Sequence, residues 1–301
     1  MATRILVPLD GSPLAEQALP YAMALGHGLP AELLLLRTVS IPSDAQELLS
    51  EVGLSEEELK EKSDAEASEY LNGIATRLQQ VGLSVQQVVQ HGPAAEAIVD
   101  YAIQANARQI VMATHGYTGI KRWTHGSVAE RVLHGSSVPV LLVRAQEEVS
   151  VPQQPVSCQR ILVPLDGSDV AEQVLSSATV VAQALGAEMI LFQVPIIYAS
   201  GSLMGEWFLP LEGVFETAQQ NAQAYLDRVS THLRKQRINV STATRIGPVA
   251  ESIIEHAEAN DIDLIAMCTH GRTGLARWTL GSVADRVLRG GSIPILLVRA
   301  R

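Results

Sequence analysis

Arg4-Ile5-Leu6-Val7-Pro8-Leu9-Asp10-Gly11-Ser12 returns without a change as Arg160-Ile161-Leu162-Val163-Pro164-Leu165-Asp166-Gly167-Ser168. That repetition decides the fold. A short aliphatic run followed by a polar Asp-Gly-Ser turn opens a strand–turn–helix unit, so the chain begins the same unit twice. Further along, His91-Gly92-Pro93-Ala94-Ala95-Glu96 is matched by Ile246-Gly247-Pro248-Val249-Ala250-Glu251. Gly126-Ser127-Val128-Ala129-Glu130-Arg131-Val132-Leu133 is matched by Gly281-Ser282-Val283-Ala284-Asp285-Arg286-Val287-Leu288. The spacing between copies drifts by a single residue over the whole unit, which means a duplicated domain rather than a short solenoid repeat. The 301 residues divide into a first domain over 1–145, a linker over 146–158 with Pro152 and Pro155 among polar residues, and a second domain over 159–301.

Within the first copy the pattern predicts alternating elements. Strands are expected at Arg4–Pro8, Glu32–Val39, Ser84–Gln90, Gln109–Ala113 and Val138–Val143. Ser12 as N-cap and Pro13 at the first helical position start a helix over 13–27. The polar stretch from Ser43 to Gln80 is mostly helical by composition, and further helices are expected at Pro93–Asn106 and Ser127–His134. Aliphatic strands separated by helices indicate an α/β fold whose parallel sheet is covered on both faces.

Composition narrows the function. Net charge is −10, from 22 basic against 32 acidic residues, so the chain lacks the basic face of a general nucleic-acid binder. Two cysteines, Cys158 and Cys268, without CxxC spacing, predict neither a disulfide framework nor a zinc site, and a reducing cytoplasm fits them. No apolar stretch is long enough to span a membrane, and no signal peptide is read at the N-terminus.

Two loops in each half suit a ligand. One is Pro8-Leu9-Asp10-Gly11-Ser12; the other runs from Thr114-His115-Gly116 over nine residues to Gly126-Ser127. In the second half the latter is Thr269-His270-Gly271 followed by Gly281-Ser282. Glycines here permit positive φ and close backbone approach. Ser127-Val128-Ala129-Glu130 fits a capping box, which starts a helix directly after Gly126 and leaves its amides and positive dipole end for an anion. Lys121, Arg122, Arg272 and Arg277 lie in these loops and would screen phosphate charge. Simpler roles stand beside these. Asp10 is read equally well as the acceptor of an Asx turn. His115 and His270 lack a carboxylate at recognisable spacing and are read as structural. His27, His91, His125 and His134 are not repeated, so no metal set is predicted. Trp123 and Trp278 are read as packing residues, and Cys268 as a buried, inert thiol.

Taken together, Pro-Leu-Asp-Gly-Ser after strand one, Gly-Pro before the third helix, and Thr-His-Gly-x9-Gly-Ser-Val-Ala-Glu/Asp-Arg-Val-Leu resemble the universal stress protein family over nearly all of both halves. The resemblance implies two tandem doubly wound domains, each a five-stranded parallel sheet of order 3-2-1-4-5 with helices on both faces. The family's nucleotide-binding branch holds ATP or a related adenine nucleotide, with magnesium as a companion ion. Carried over by position, Asp10 and Asp166 meet the ribose–adenine part, and Val39 and Val194 offer backbone groups to adenine. Gly116, Gly126, Ser127 and Val128 hold phosphates and ribose in the first half, and Gly271, Gly281, Ser282 and Val283 in the second. One position departs from the branch's Gly-x2-Gly-x9-Gly-Ser: Ala113 and Cys268 replace its first glycine. The aliphatic fifth strands are expected to meet in an internal pseudo-dimer, with a homodimer of the whole chain a further option. The function implied is a cytoplasmic adenine-nucleotide-binding sensor or regulator in the stress response. A nucleotide-free interaction scaffold and a slow ATP hydrolase remain open, the latter with no P-loop or activated nucleophile to support it.

Overall fold

The computed structural model describes residues 3–40, 55–115, 128–146, 154–196, 211–270 and 280–300, the side chains of His115, Leu211 and Glu212 excepted. The chain divides into two compact units, Met1–Ser157 and Cys158–Arg301.

The first unit contains β1 (Thr3–Pro8), α1 (Pro13–Glu16), α2 (Leu19–Gly28), β2 (Ala31–Val39), α3 (Glu56–Gln80), β3 (Ser84–His91), α4 (Ala94–Gln104), β4 (Gln109–His115), α5 (Val128–Gly135) and β5 (Val140–Ala145). The second contains β6 (Arg160–Pro164), α6 (Asp169–Glu172), α7 (Val174–Leu185), β7 (Glu188–Gln193), α8 (Leu211–Lys235), β8 (Val240–Thr244), α9 (Val249–Ala259), β9 (Leu264–Cys268), α10 (Ser282–Gly290) and β10 (Ile295–Val298).

Every strand pairing within a unit is parallel, in the order β3-β2-β1-β4-β5 and β8-β7-β6-β9-β10. This is the doubly wound order 3-2-1-4-5 that the family resemblance implies. The central strands are buried on both faces because their sequences are uninterrupted: Leu33-Leu34-Leu35-Leu36 and Ile161-Leu162-Val163 are all at most 1% exposed. Winding reverses between β1 and β4, and between β6 and β9, which opens a crevice at the carboxyl ends of these strands.

Local chemistry sets the element ends. Ser12 and Ser168 cap α1 and α6, each hydroxyl accepting the amide three residues on (3.1 and 3.2 Å). Ser55 and Glu58 form a reciprocal capping box at the start of α3. The single helix expected over 13–27 is instead two. Gln17 and Ala18 donate to the carbonyls three residues back, tightening the chain before α2. Pro20 has no amide to continue the first helix. The second half tightens at the same place, at Gln173, with no proline nearby, so the break belongs to the fold.

The segment read as a linker is partly fastened to the first unit. Gln17 exchanges two hydrogen bonds with the Gln146 backbone (2.7 and 3.0 Å), and the Val156 amide donates to the Pro20 carbonyl. Of the polar stretch 43–80, residues 41–54 lie outside the described residues.

Candidate functional site

The Asp-Gly-Ser turn is built identically in both units. Asp10 Oδ1 accepts the Ser12 amide at 2.8 Å, and Asp166 Oδ1 accepts the Ser168 amide at 3.0 Å and its hydroxyl at 2.6 Å. The Asx-turn reading of Asp10 therefore holds, and Asp166 does the same. Gly11 and Gly167 sit between them with φ of +92° and +83°, a region closed to most side chains.

In the second unit the turn forms one wall of a cavity of about 240 Å³. Asp166, Val194, Gly281, Ser282 and Val283, five of the residues singled out from the sequence, all line it. Phe192, Ile196, Val249, Ile253 and Met267 supply its apolar walls. The volume is just under the roughly 300–1,000 Å³ usual for small-molecule sites. An apolar body with one polar end suits such a space.

The polar end is the start of α10. Gly281 takes the cap position with extended backbone (φ −60°, ψ 148°), and Ser282 is the first helical residue. No side chain caps this helix, and the Asp285 carboxylate is held by Arg289 Nε (2.8 and 2.9 Å); the capping box read at Ser127–Glu130 of the first half begins outside the described residues. The cause is crowding at the cap. The Gly281 amide donates to the Thr269 carbonyl at 2.7 Å, and a Cβ on Gly281 would stand 2.7 Å from that same oxygen. Only glycine fits, for closeness and not for positive φ, and serine is displaced to the next position. Among the described residues the amides of Ser282, Val283 and Ala284 have no backbone partner, so three donors and the helix dipole face the cavity.

Cys268, at the position where the family's binding branch has glycine, is 5% exposed and forms part of the cavity wall. Burial pushes its thiol up to about 12, so it is uncharged near neutrality and unreactive. It narrows the cavity without closing it. Cys158 is likewise buried and pushed up to about 12. His270 packs beside Thr269, whose hydroxyl is 3.1 Å from Nδ1. No cluster of ligating side chains able to hold a metal occurs among the described residues.

His256 of α9 stacks on Phe192 with ring centroids 4.5 Å apart. Burial, and secondarily the Arg245 guanidinium, lower its pKa below the ordinary 6.5. The unfolded chain therefore takes up this proton at higher pH than the folded one. Stability contributed by neutral His256 is full above about pH 6.5 and falls as pH drops from there through the folded value. Thermal midpoints measured down this range should fall less in His256→Gln than in the parent; equal slopes would remove the histidine from the account.

In the first unit Asp10, Val39 and Val128 are described, whereas Gly116, Gly126 and Ser127, like Gly271 of the second unit, lie outside the described residues. Lys121, Arg122, Trp123, His125, Arg272, Arg277 and Trp278 also lie outside them. The register separates Val39 from Val194. Pro8 pairs with Leu36 and Pro164 with Phe192, so the counterpart of Val194 is Thr38, and Val39 corresponds to Pro195. Along a strand one residue changes the face. The Val39 carbonyl, moreover, accepts the Gly92 amide at 3.1 Å.

Sequence reasoning passed over a repeated pair beside the turn. Tyr70 and Tyr225 donate from their hydroxyls to Glu16 and Glu172 at 3.2 and 2.9 Å. Burial foremost, with these carboxylates, raises both phenols above their ordinary value, so they stay protonated donors. The signal was present as a tyrosine and a glutamate that recur in both copies.

Comparison with known proteins agrees with this architecture. The universal stress protein family profile matches residues 1–144 and again 158–299. Universal stress protein Slr1230 of Synechocystis is 27% identical over 98% of this chain and 99% of its own length. Universal stress protein MJ0577 of Methanocaldococcus jannaschii is 33% identical, matching 48% of this chain and 96% of its own length. A crystal structure of a universal stress protein from Archaeoglobus fulgidus superposes with a TM-score of 0.68 at 20% identity, covering 99% of this chain and 96% of that one. With the profile matched twice in succession, the chain belongs to the universal stress protein family as a tandem two-domain member.

Proposed function

We propose that the protein binds an adenine nucleotide and acts as a sensor or regulator in the stress response, without a catalytic group of its own. The observation that carries this is the start of α10. Three amides without backbone partners among the described residues, at the positive end of a helix, open into a cavity that also has Asp166 and the strand-end residue Val194 in its walls. The apolar walls suit the base, the Asp166 carboxylate in the cavity wall suits a ribose hydroxyl, and the amides suit a phosphate. Magnesium would be held by the nucleotide's phosphates rather than by a cluster of protein carboxylates.

Calorimetric titration of the full chain with ATP, ADP and AMP tests the reading, together with mass analysis of any nucleotide released on denaturing the purified protein. Saturable binding supports it. No heat and no released nucleotide would leave the interaction scaffold as the better description. Magnesium-dependent release of phosphate from ATP would instead favour the hydrolase.

A further inference from the structure

We infer that Tyr225 is a positioning residue for the second unit's site: through Glu172 it fixes the turn that presents Asp166 to the sugar of a bound nucleotide. This deepens the nucleotide reading above and rests on it. A continuous line of hydrogen bonds carries the argument. The Tyr225 hydroxyl, on α8, donates to Glu172 Oε1 at 2.9 Å. The Glu172 amide donates to the Ser168 carbonyl at 3.2 Å. Ser168 in turn donates to Asp166 Oδ1 from its amide (3.0 Å) and its hydroxyl (2.6 Å), and that hydroxyl accepts the Ala171 amide at 3.2 Å. Residues 166–172 therefore form one bonded block. Asp166 and Ala171 stand in the cavity wall, and Glu172, at the far end, is tied to α8.

α6 is only four residues long, too short to hold its place by its own backbone bonds. Contacts from outside must set its position, and the phenol supplies one. Among the described residues Tyr225 is the sole side-chain partner of Glu172. Glu172 and Arg228 both line an open groove between α7 and α8, so a carboxylate released by the phenol has room to turn away. Burial first, then the hydrogen bond and charge of Glu172 and the charge of Asp166, raise the phenol above its ordinary value. It stays a protonated donor, within electrostatic reach of the cavity's own carboxylate.

The first unit repeats the line of bonds and adds a second hold. Tyr70 donates to Glu16 Oε1 at 3.2 Å, the Glu16 amide to the Ser12 carbonyl at 3.3 Å, and the Ser12 amide to Asp10 Oδ1 at 2.8 Å. α3 and α8 differ at most positions yet both keep this tyrosine. Arg77 also holds Glu16, at 3.0 Å, whereas its counterpart His232 contacts Gln236 instead. Among the described side chains the second unit thus hangs the link on the phenol alone. Partners that orient a site residue from behind affect what that residue can recognise, not only how firmly the fold is held.

The test is calorimetric titration of the full chain with AMP and with dideoxy-AMP, which lacks both free sugar hydroxyls. The binding lost in Ser282→Asp marks the second unit's share. In the parent, AMP should bind there the more tightly, because only AMP offers Asp166 a hydroxyl. In Tyr225→Phe that preference is expected to fall by roughly threefold to tenfold, the size usual for a residue acting through a network. Glu172→Gln, which still accepts from the phenol, should keep most of the preference. Glu172→Ala should lose it as Tyr225→Phe does, and it decides the matter if Tyr225→Phe fails to fold. An unchanged preference in Tyr225→Phe, even with both nucleotides bound more weakly, overturns this inference and leaves the nucleotide reading standing; so does a parent without any preference. Nothing lost in Ser282→Asp, or no nucleotide bound by the parent chain, overturns both.

Discussion

Truncating Phe192 to alanine is expected to lower the stability of the second unit by about 3–5 kcal/mol, the usual cost of removing a fully buried aromatic side chain. Phe192 is 0% exposed and is the largest fully buried side chain of the described residues. It sits on β7, one face of its ring against His256 of α9, so the substitution removes apolar contact and aromatic stacking together. Nothing nearby is placed to refill the space, because Phe192 already borders the cavity and its loss only enlarges that opening. In urea unfolding of the full chain, the transition of the second unit should move to lower denaturant while that of the first stays put, as expected of units with separate cores. A shift below about 1 kcal/mol would mean that the ring is not the keystone its burial suggests.

Ser282→Asp is expected to separate binding from stability. A carboxylate in the first turn of α10 interacts favourably with the helix dipole, by about 0.3–1 kcal/mol, so the fold should be unharmed or slightly firmer. The same carboxylate would occupy the place proposed for the ligand's phosphate. Like charges about 4 Å apart near a protein surface repel by roughly 4 kcal/mol, and each 1.4 kcal/mol is about tenfold in affinity. If the proposed reading holds, nucleotide binding at the second unit should weaken by at least tenfold in dissociation constant in calorimetry, alongside an unchanged or raised melting temperature. Binding as strong as in the parent chain would show that the helix start is not where the anion sits.

The duplicated fold was legible because its evidence is redundant. The central strands are runs of aliphatic residues, and each such run occurs twice, so chance matches are outvoted; the edge strands β3 and β8 are more polar. The site was legible more coarsely. Asp166, Val194, Gly281, Ser282 and Val283 do converge on one cavity, since the doubly wound order brings the ends of β6, β7 and β9 together whatever the loops do. What a one-dimensional reading lacks is register and distance. Val39 and Val194 look equivalent as letters, yet a strand shows opposite faces at successive residues, and one slip in alignment is enough to mispair them. The reason for Gly281 was also hidden: its necessity comes from a carbonyl contributed by Thr269, twelve residues earlier, not from its own dihedral angles.

The hydrogen bond from Gly281 to Thr269 has a spectroscopic corollary. With that amide already committed, an oxyanion arriving at α10 can polarise the backbone protons of Ser282, Val283 and Ala284 and no earlier one in the helix. Titrated nucleotide should therefore carry three consecutive nitrogen–proton resonances downfield as a group, while the glycine signal immediately before them holds its place as an internal standard.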